Sequence, residues 1–392
     1  MMAMSARSIG LGTAMVVIAG CGGQTPAAGE PFPAQSLWVN PPRPPLAADA
    51  DTNDPNAYYQ LGALDIVRRP DTAAAAFYWT TRLDPWRADA HYARSVALIR
   101  SLWKRHRQTG MWMPTRRLRE NEMKVIDSLN RIAYELDPYI DRRFDRLVGP
   151  PATPYLCERA RDAVSAGLCF MQLGNFAASV QKLGAALEKD PKLISLHYLR
   201  AQAHFQLGQY DSAAAELGVL ADSLGNRQEK ELTAFYVSRA TIYYAQGMAY
   251  MQMADTVAAR SAYERALVED LGFHMASVRL AGRALSVGDT TEALSQLAHA
   301  VGVSPSDAPL RYYYGLVLDH NRQYKEAEEQ YRKAIEINED FAPPYLHLAR
   351  LLEPHDLASA VASYDTFLMR SPRSDTTRAW VAQRLRRLVG SP

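Results

Sequence analysis

The chain has 392 residues, 48% of them hydrophobic and 22% charged, which is enough apolar material for a large core and too much for a disordered polymer. Its net charge of +2 argues against capture of nucleic acid by bulk electrostatics. Alanine is abundant and period-two Val/Ile runs are scarce, so the composition predicts an all-helical protein.

In chain order, Arg7 precedes an apolar run from Ile9 to Ala19. The run is too short to span a bilayer and has the length of a signal-peptide core. It ends in Ile18-Ala19-Gly20-Cys21. An aliphatic residue and two small ones before a cysteine resembles the lipobox of bacterial lipoproteins. The resemblance implies that residues 1–20 are removed and that Cys21 becomes a lipidated N-terminus. Gly22 stands where inner-membrane retention in that family often uses Asp, so the outer membrane, facing the periplasm, is the expected address. Residues 21–54 carry Pro26, Pro31, Pro33, Pro41, Pro42, Pro44 and Pro45 and are expected to form an unpacked tether. Fully extended at about 3.1 Å per residue, it would reach on the order of 100 Å.

From Pro55 onward the sequence repeats. Ala240 to Phe341 is three contiguous units of 34 residues. In the first, Tyr243, Gly247, Tyr250, Ala259, Tyr263 and Ala266 hold unit positions 4, 8, 11, 20, 24 and 27. Ala281, Ala293, Leu297 and Ala300, then Gly315, Ala327, Tyr331 and Ala334, hold positions 8, 20, 24 and 27 of the next two. The frame recurs at 160–193, at 194–239 with an insertion, and at 342–374. Two degenerate units fill 55–148, with a basic insertion at 104–119 inside the second and a Pro-rich linker at 149–159 after it. Residues 375–392 read as a final capping helix.

Period and pattern resemble the tetratricopeptide repeat (TPR) family. The resemblance implies a TPR α-solenoid, a right-handed superhelix of antiparallel helix pairs. Small residues at positions 8 and 20 let paired helices approach, and large residues at 4, 11 and 24 fill the gaps. In that family first-helix positions 2, 5, 9, 12 and 13 line a concave groove. Here they include Met171, Tyr198, Gln202, Phe205, Tyr244, Met248, Met251, Met275, Tyr312 and Leu316. Such a surface suits a hydrophobic helix or extended segment of another envelope protein. The alternative is that neighbouring units or insertions cover these residues. The Lys and Asn with which chaperone-binding relatives clamp a carboxylate are absent from positions 5 and 9.

Lys104, Arg105, Arg107, Arg116, Arg117 and Arg119, interleaved with Trp103 and Trp112, form a basic patch without an acidic residue. It could meet anionic lipid or polysaccharide, or be a solvated loop packed back on the array. No nucleotide-binding, serine-hydrolase or zinc-protease motif occurs, so an enzyme is not expected, nor a cofactor or metal. Cys157 and Cys169 are 12 residues apart, roughly 18 Å along a single helix, so two separate buried thiols are expected.

Overall fold

The computed structural model describes residues 40–109, 116–140, 144, 147, 153–224 and 237–390, with 105–109 and 116–121 described as backbone alone. Among the described residues there are eighteen helices and no strand. The two degenerate units are α1 (Pro55–Asp65) with α2 (Pro70–Leu83), and α3 (Ala88–Thr109) with α4 (Arg116–Leu136). A short α5 (Pro154–Glu158) precedes the regular array. The array pairs α6 (Ala163–Gln172) with α7 (Phe176–Lys189), then α8 (Leu196–Gln206) with α9 (Tyr210–Leu224). It continues as α10 (Arg239–Gln252) with α11 (Thr256–Glu269), and α12 (His274–Ser286) with α13 (Thr290–Val303). The last pairs are α14 (Ala308–His320) with α15 (Tyr324–Ile337), and α16 (Pro343–Leu352) with α17 (Leu357–Arg370), before α18 (Thr377–Val389). Except between α4 and α5, each helix packs on its chain neighbours, so the fold is a TPR α-solenoid.

Local chemistry starts and stops the helices. Asp162, Asn175, Ser238, Asp255, Asp289, Asp307 and Asp356 are N-caps whose side chains each accept a first-turn N–H. At unit position 15 the backbone must turn left-handed. Gly174, Gly208 and Gly288 do so at φ 73°, 72° and 82°. Ala254 and Arg322 hold the same position at φ 58° and 62°, so the turn is imposed even where no glycine relieves it.

Within each pair the small residue at position 8 faces a large one on the second helix. A Cβ on Gly247 would lie 2.5 Å from the Tyr263 ring, and one on Gly315 2.6 Å from the Tyr331 ring. Both rings are fully buried. Where the facing residue is Leu217 or Leu297, position 8 is Ala201 or Ala281. The array ends on α18, whose Val381, Leu385 and Leu388 pack against Tyr364 and Phe367 while Arg386 and Arg387 face out.

Two expectations are corrected here. Cys157 and Cys169 are joined, with Cα atoms 5.3 Å apart. The single-helix assumption fails because the chain leaves helix after Glu158 and starts again at Ala163, folding α5 back on α6. The basic segment 104–119, expected as an insertion or a solvated loop, falls largely on the two helices themselves. α3 runs on to Thr109 and α4 already begins at Arg116.

Gly315→Ala is expected to destabilise the chain by about 1–3 kcal/mol, because the Tyr331 ring has nowhere to move. Gly282→Ala, whose new methyl would meet only the Tyr313 hydroxyl at 3.7 Å, should be neutral or slightly stabilising. Urea unfolding followed by circular dichroism distinguishes the two.

Candidate functional site

In TPR arrays the first helices of the pairs line the inner wall, and here a turn of the chain itself packs on two of those helices. After α4, residues 137–140 form a tight turn in which Ile140 N–H donates to the Asp137 carbonyl at 3.2 Å. This turn lies on α8 and α10. Tyr198 Oη and Gln202 Nε2 donate to the Pro138 carbonyl at 3.0 and 2.9 Å. Gln206 Nε2 donates to the Tyr139 carbonyl at 2.6 Å. The Tyr139 ring stacks on Phe205, with centroids 3.7 Å apart and planes 6° from parallel. Its hydroxyl donates to the Ala245 carbonyl at 2.8 Å, and burial pushes its pKa well up.

A second self-contact runs along the edge made by the turns between units. Trp86 Nε1 donates to both oxygens of Asp307 at 3.2 Å. Asn338 Nδ2 donates to the Arg82 carbonyl at 2.7 Å. Asp340 receives three guanidinium groups, from Arg82 at 2.9 Å, Arg370 at 2.8 Å and Arg43 at 3.4 Å. Asn53 reaches the Met369 carbonyl at 2.6 Å, and the Asp51 carboxylate accepts from the Arg373 N–H. The first unit is therefore bound to the turns of the last ones. Between them lies a cleft of about 570 Å³ bordered by Trp86, His91, Glu135, His274, Asp307 and Asn338.

The expected groove residues divide accordingly. Tyr198, Gln202, Tyr244 and Met275 are buried, which corrects their assignment to an open groove. Residues 137–140 cover Tyr198 and Gln202. Tyr244 lies between Tyr263 and Phe273, with Arg279 Nε donating to its hydroxyl at 3.2 Å. Met275 lies at the wall of the cleft. Phe205 is half-buried under Tyr139, and Met171 and Met248 are half-buried against the same core. Met251 is exposed. Tyr312 and Leu316 on α14 are half-buried. The Tyr312 ring meets Tyr331, Phe341 and His347 at 6.0, 5.6 and 5.6 Å, and burial pushes its pKa up to about 12.

Of the basic patch, Lys104 is exposed and donates to the Arg68 carbonyl at 3.2 Å. The side chains of Arg105, Arg107, Arg116, Arg117 and Arg119 lie outside the described residues, as does Cys21. Among the described residues no helix is long and apolar enough to cross a membrane, and no group of His, Cys, Asp and Glu could hold a metal.

The sequence reading missed Tyr139, Trp86 and Asp340. In the repeat frame Pro138 is simply the proline that closes the second degenerate unit. Nothing in a 34-residue register marks the residue after it as a plug, because its hydrogen-bond partners on α8 and α10 lie 67 and 106 positions away.

Three stretches of the chain match repeat-family models. A family model described as TPR repeat matches residues 167–217, and models described as tetratricopeptide repeat match 240–267 and 278–342. No curated protein matches the chain in sequence. Solved structures that resemble it include the C-terminal part of a TPR repeat-containing protein from Cytophaga hutchinsonii, at 15% identity over 52% of this chain and 77% of that one, with a TM-score of 0.44. YrrB, described as a TPR protein with an unusual peptide-binding site, is similar at 18% identity over 52% and 97%, with a TM-score of 0.39. MamA from Desulfovibrio magneticus is similar at 21% identity over 50% and 97%, with a TM-score of 0.36.

Two histidines at these surfaces set an acid limit. Burial pushes the pKa of His91 down to about 4, and likewise that of His347. An unfolded imidazole protonates near 6.5. Between pH 6.5 and 4 the unfolded chain binds protons that the folded chain refuses. Stability from these groups is thus fully present above pH 6.5 and falls as the pH drops through that window. The urea midpoint should decline from pH 6.5 to 4, and His347→Gln should flatten the decline.

Proposed function

We propose that this chain is a non-enzymatic protein-interaction scaffold, anchored by lipid on Cys21 in the bacterial cell envelope. TPR arrays act as scaffolds, and three stretches of this chain match TPR family models. The observation that carries the reading is the part of the inner wall that the turn at 137–140 does not reach. Met251, Leu285, Leu316 and His320 retain accessible surface there, beside the half-buried Tyr312. Apolar and aromatic side chains on a concave face suit a hydrophobic helix or extended segment of another envelope protein.

The Cys157–Cys169 bridge supports the exported address, since disulfides persist in oxidising compartments such as the periplasm. The lipobox-like Ile18-Ala19-Gly20-Cys21 and the proline-rich segment after it support an anchored protein held off the bilayer. Gly22 favours the outer membrane.

The double variant Tyr312→Asp/Leu316→Asp, compared with wild type in affinity purification from envelope extracts, should lose its co-purifying proteins at least about tenfold while its helical spectrum is unchanged. Equal recovery of the same proteins by both chains would overturn the groove assignment. Separately, Cys21→Ser should move the protein from the membrane to the soluble fraction and abolish incorporation of labelled fatty acid. Persistence at the membrane would overturn the anchor.

A further inference from the structure

We propose that the pocket between α8 and α10 is a recognition site for a tight-turn, tyrosine-bearing segment of a partner protein, and that the Pro138–Tyr139 turn holds it closed in cis. The inference rests on the scaffold reading and gives that scaffold a specific ligand chemistry.

Three features define the pocket. The first is a ladder of donors. Tyr198, Gln202 and Gln206 are spaced four residues apart on one face of α8, and all three donate to main-chain carbonyls of residues 138 and 139. A ladder aimed at carbonyls accepts any segment that presents two of them in succession. The same unit positions hold Tyr244, Met248 and Gln252 on α10 and Val278, Gly282 and Ser286 on α12, so packing of the solenoid does not require it.

The second is a slot shaped for tyrosine. Phe205 supplies a flat face and the Ala245 carbonyl supplies an acceptor at the depth of a phenol hydroxyl. A phenylalanine would leave that contact unmade.

The third is an unmet acceptor. Gln202 Oε1 is buried and, among the described residues, has no hydrogen-bond partner. The cis segment places proline beside it, and proline has no N–H to offer. A buried acceptor left unpaired is costly. An occupant with an ordinary residue before its tyrosine brings the missing donor. Pro138 thus makes the cis segment a deliberately imperfect ligand, one that a better segment can displace.

The test uses the full chain and two acetylated, amidated pentapeptides, Leu-Asp-Pro-Tyr-Ile and Leu-Asp-Ala-Tyr-Ile, with binding measured by calorimetry. Tyr139→Ala, which empties the slot, is expected to bind both peptides, the alanine version about fivefold tighter for its extra hydrogen bond. Wild type should bind the alanine peptide at least about tenfold more weakly than Tyr139→Ala does, because the cis segment competes. Adding Phe205→Ala should remove binding. Folded Tyr139→Ala that takes neither peptide would overturn the proposal. So would equal affinity in wild type, or binding that survives Phe205→Ala.

If Tyr139→Ala loses its helical spectrum, Gln206→Ala serves instead. It removes one donor to the cis segment and leaves the aromatic stack filled. A wild-type spectrum with peptide affinity raised severalfold supports the proposal, and unchanged affinity overturns it. Light scattering covers one further outcome. A dimer in which copies exchange residues 137–140 would assign the pocket to a second copy of this chain and overturn the partner. None of these failures touches the scaffold reading, because Tyr312 and Leu316 lie outside the pocket.

Discussion

Where α10 crosses α11, and again where α14 crosses α15, a glycine lies against the ring of a buried tyrosine. That contact is closer than any side chain would permit, and it sets the distance between the two helices of a unit. The distance decides how much apolar surface the unit leaves for its neighbour. Each fully buried aromatic or aliphatic side chain contributes about 1.5–3 kcal/mol. No pair alone collects enough of these to offset its chain entropy. Stacking does so, because every pair becomes the missing half of the next core. Ala201 and Ala281 face Leu217 and Leu297, whereas a Cβ on Gly167 would lie 2.6 Å from Leu183, so the packing of each facing side chain decides whether a methyl fits.

A solenoid built this way is a spring, open along its inner wall and at both ends. This chain closes on itself at two places. Residues 137–140 fill the inner wall over α8 and α10, and adjacent side chains there join different cores. Tyr139 belongs with α8 and α10, and Ile140 with the first two units. At the edge, Asp340 gathers three arginines from the segment before α1, from α2 and from α17. Glu339 adds a second carboxylate, 3.1 Å from Arg370, but two carboxylates still face three cations, so this cluster favours a fixed geometry more than it favours net stability. The mechanical consequence is reduced freedom to flex, because the contacts cross-link turns that a free solenoid would let slide.

Self-closure also bears on what the protein can bind. The turn covers Tyr198 and Gln202, and Tyr263 and Phe273 enclose Tyr244, so these expected groove residues are out of immediate contact with a partner. The uncovered stretch around α14 retains Tyr312, Leu316 and His320. Binding there and binding in the closed pocket make different demands. The first asks for apolar contact on a preformed surface, and the second for exchange of one set of hydrogen bonds for another.

The amino-acid sequence by itself determined the helix pairs, their register and the class of fold. Gly247, Ala259, Tyr263 and Ala266 recur because each satisfies a contact with a residue less than one repeat away, and such contacts are written locally. The N-caps and the left-handed turns were equally local. Only the tertiary structure decided which inner-wall residues remain open, that Cys157 meets Cys169, and that Tyr139, Trp86 and Asp340 tie distant parts together. These depend on curvature accumulated over many units and on where a non-repeating turn falls. A small angle added at each stacking step moves a residue 200 positions away by many ångströms, and no periodic pattern in the sequence records that sum.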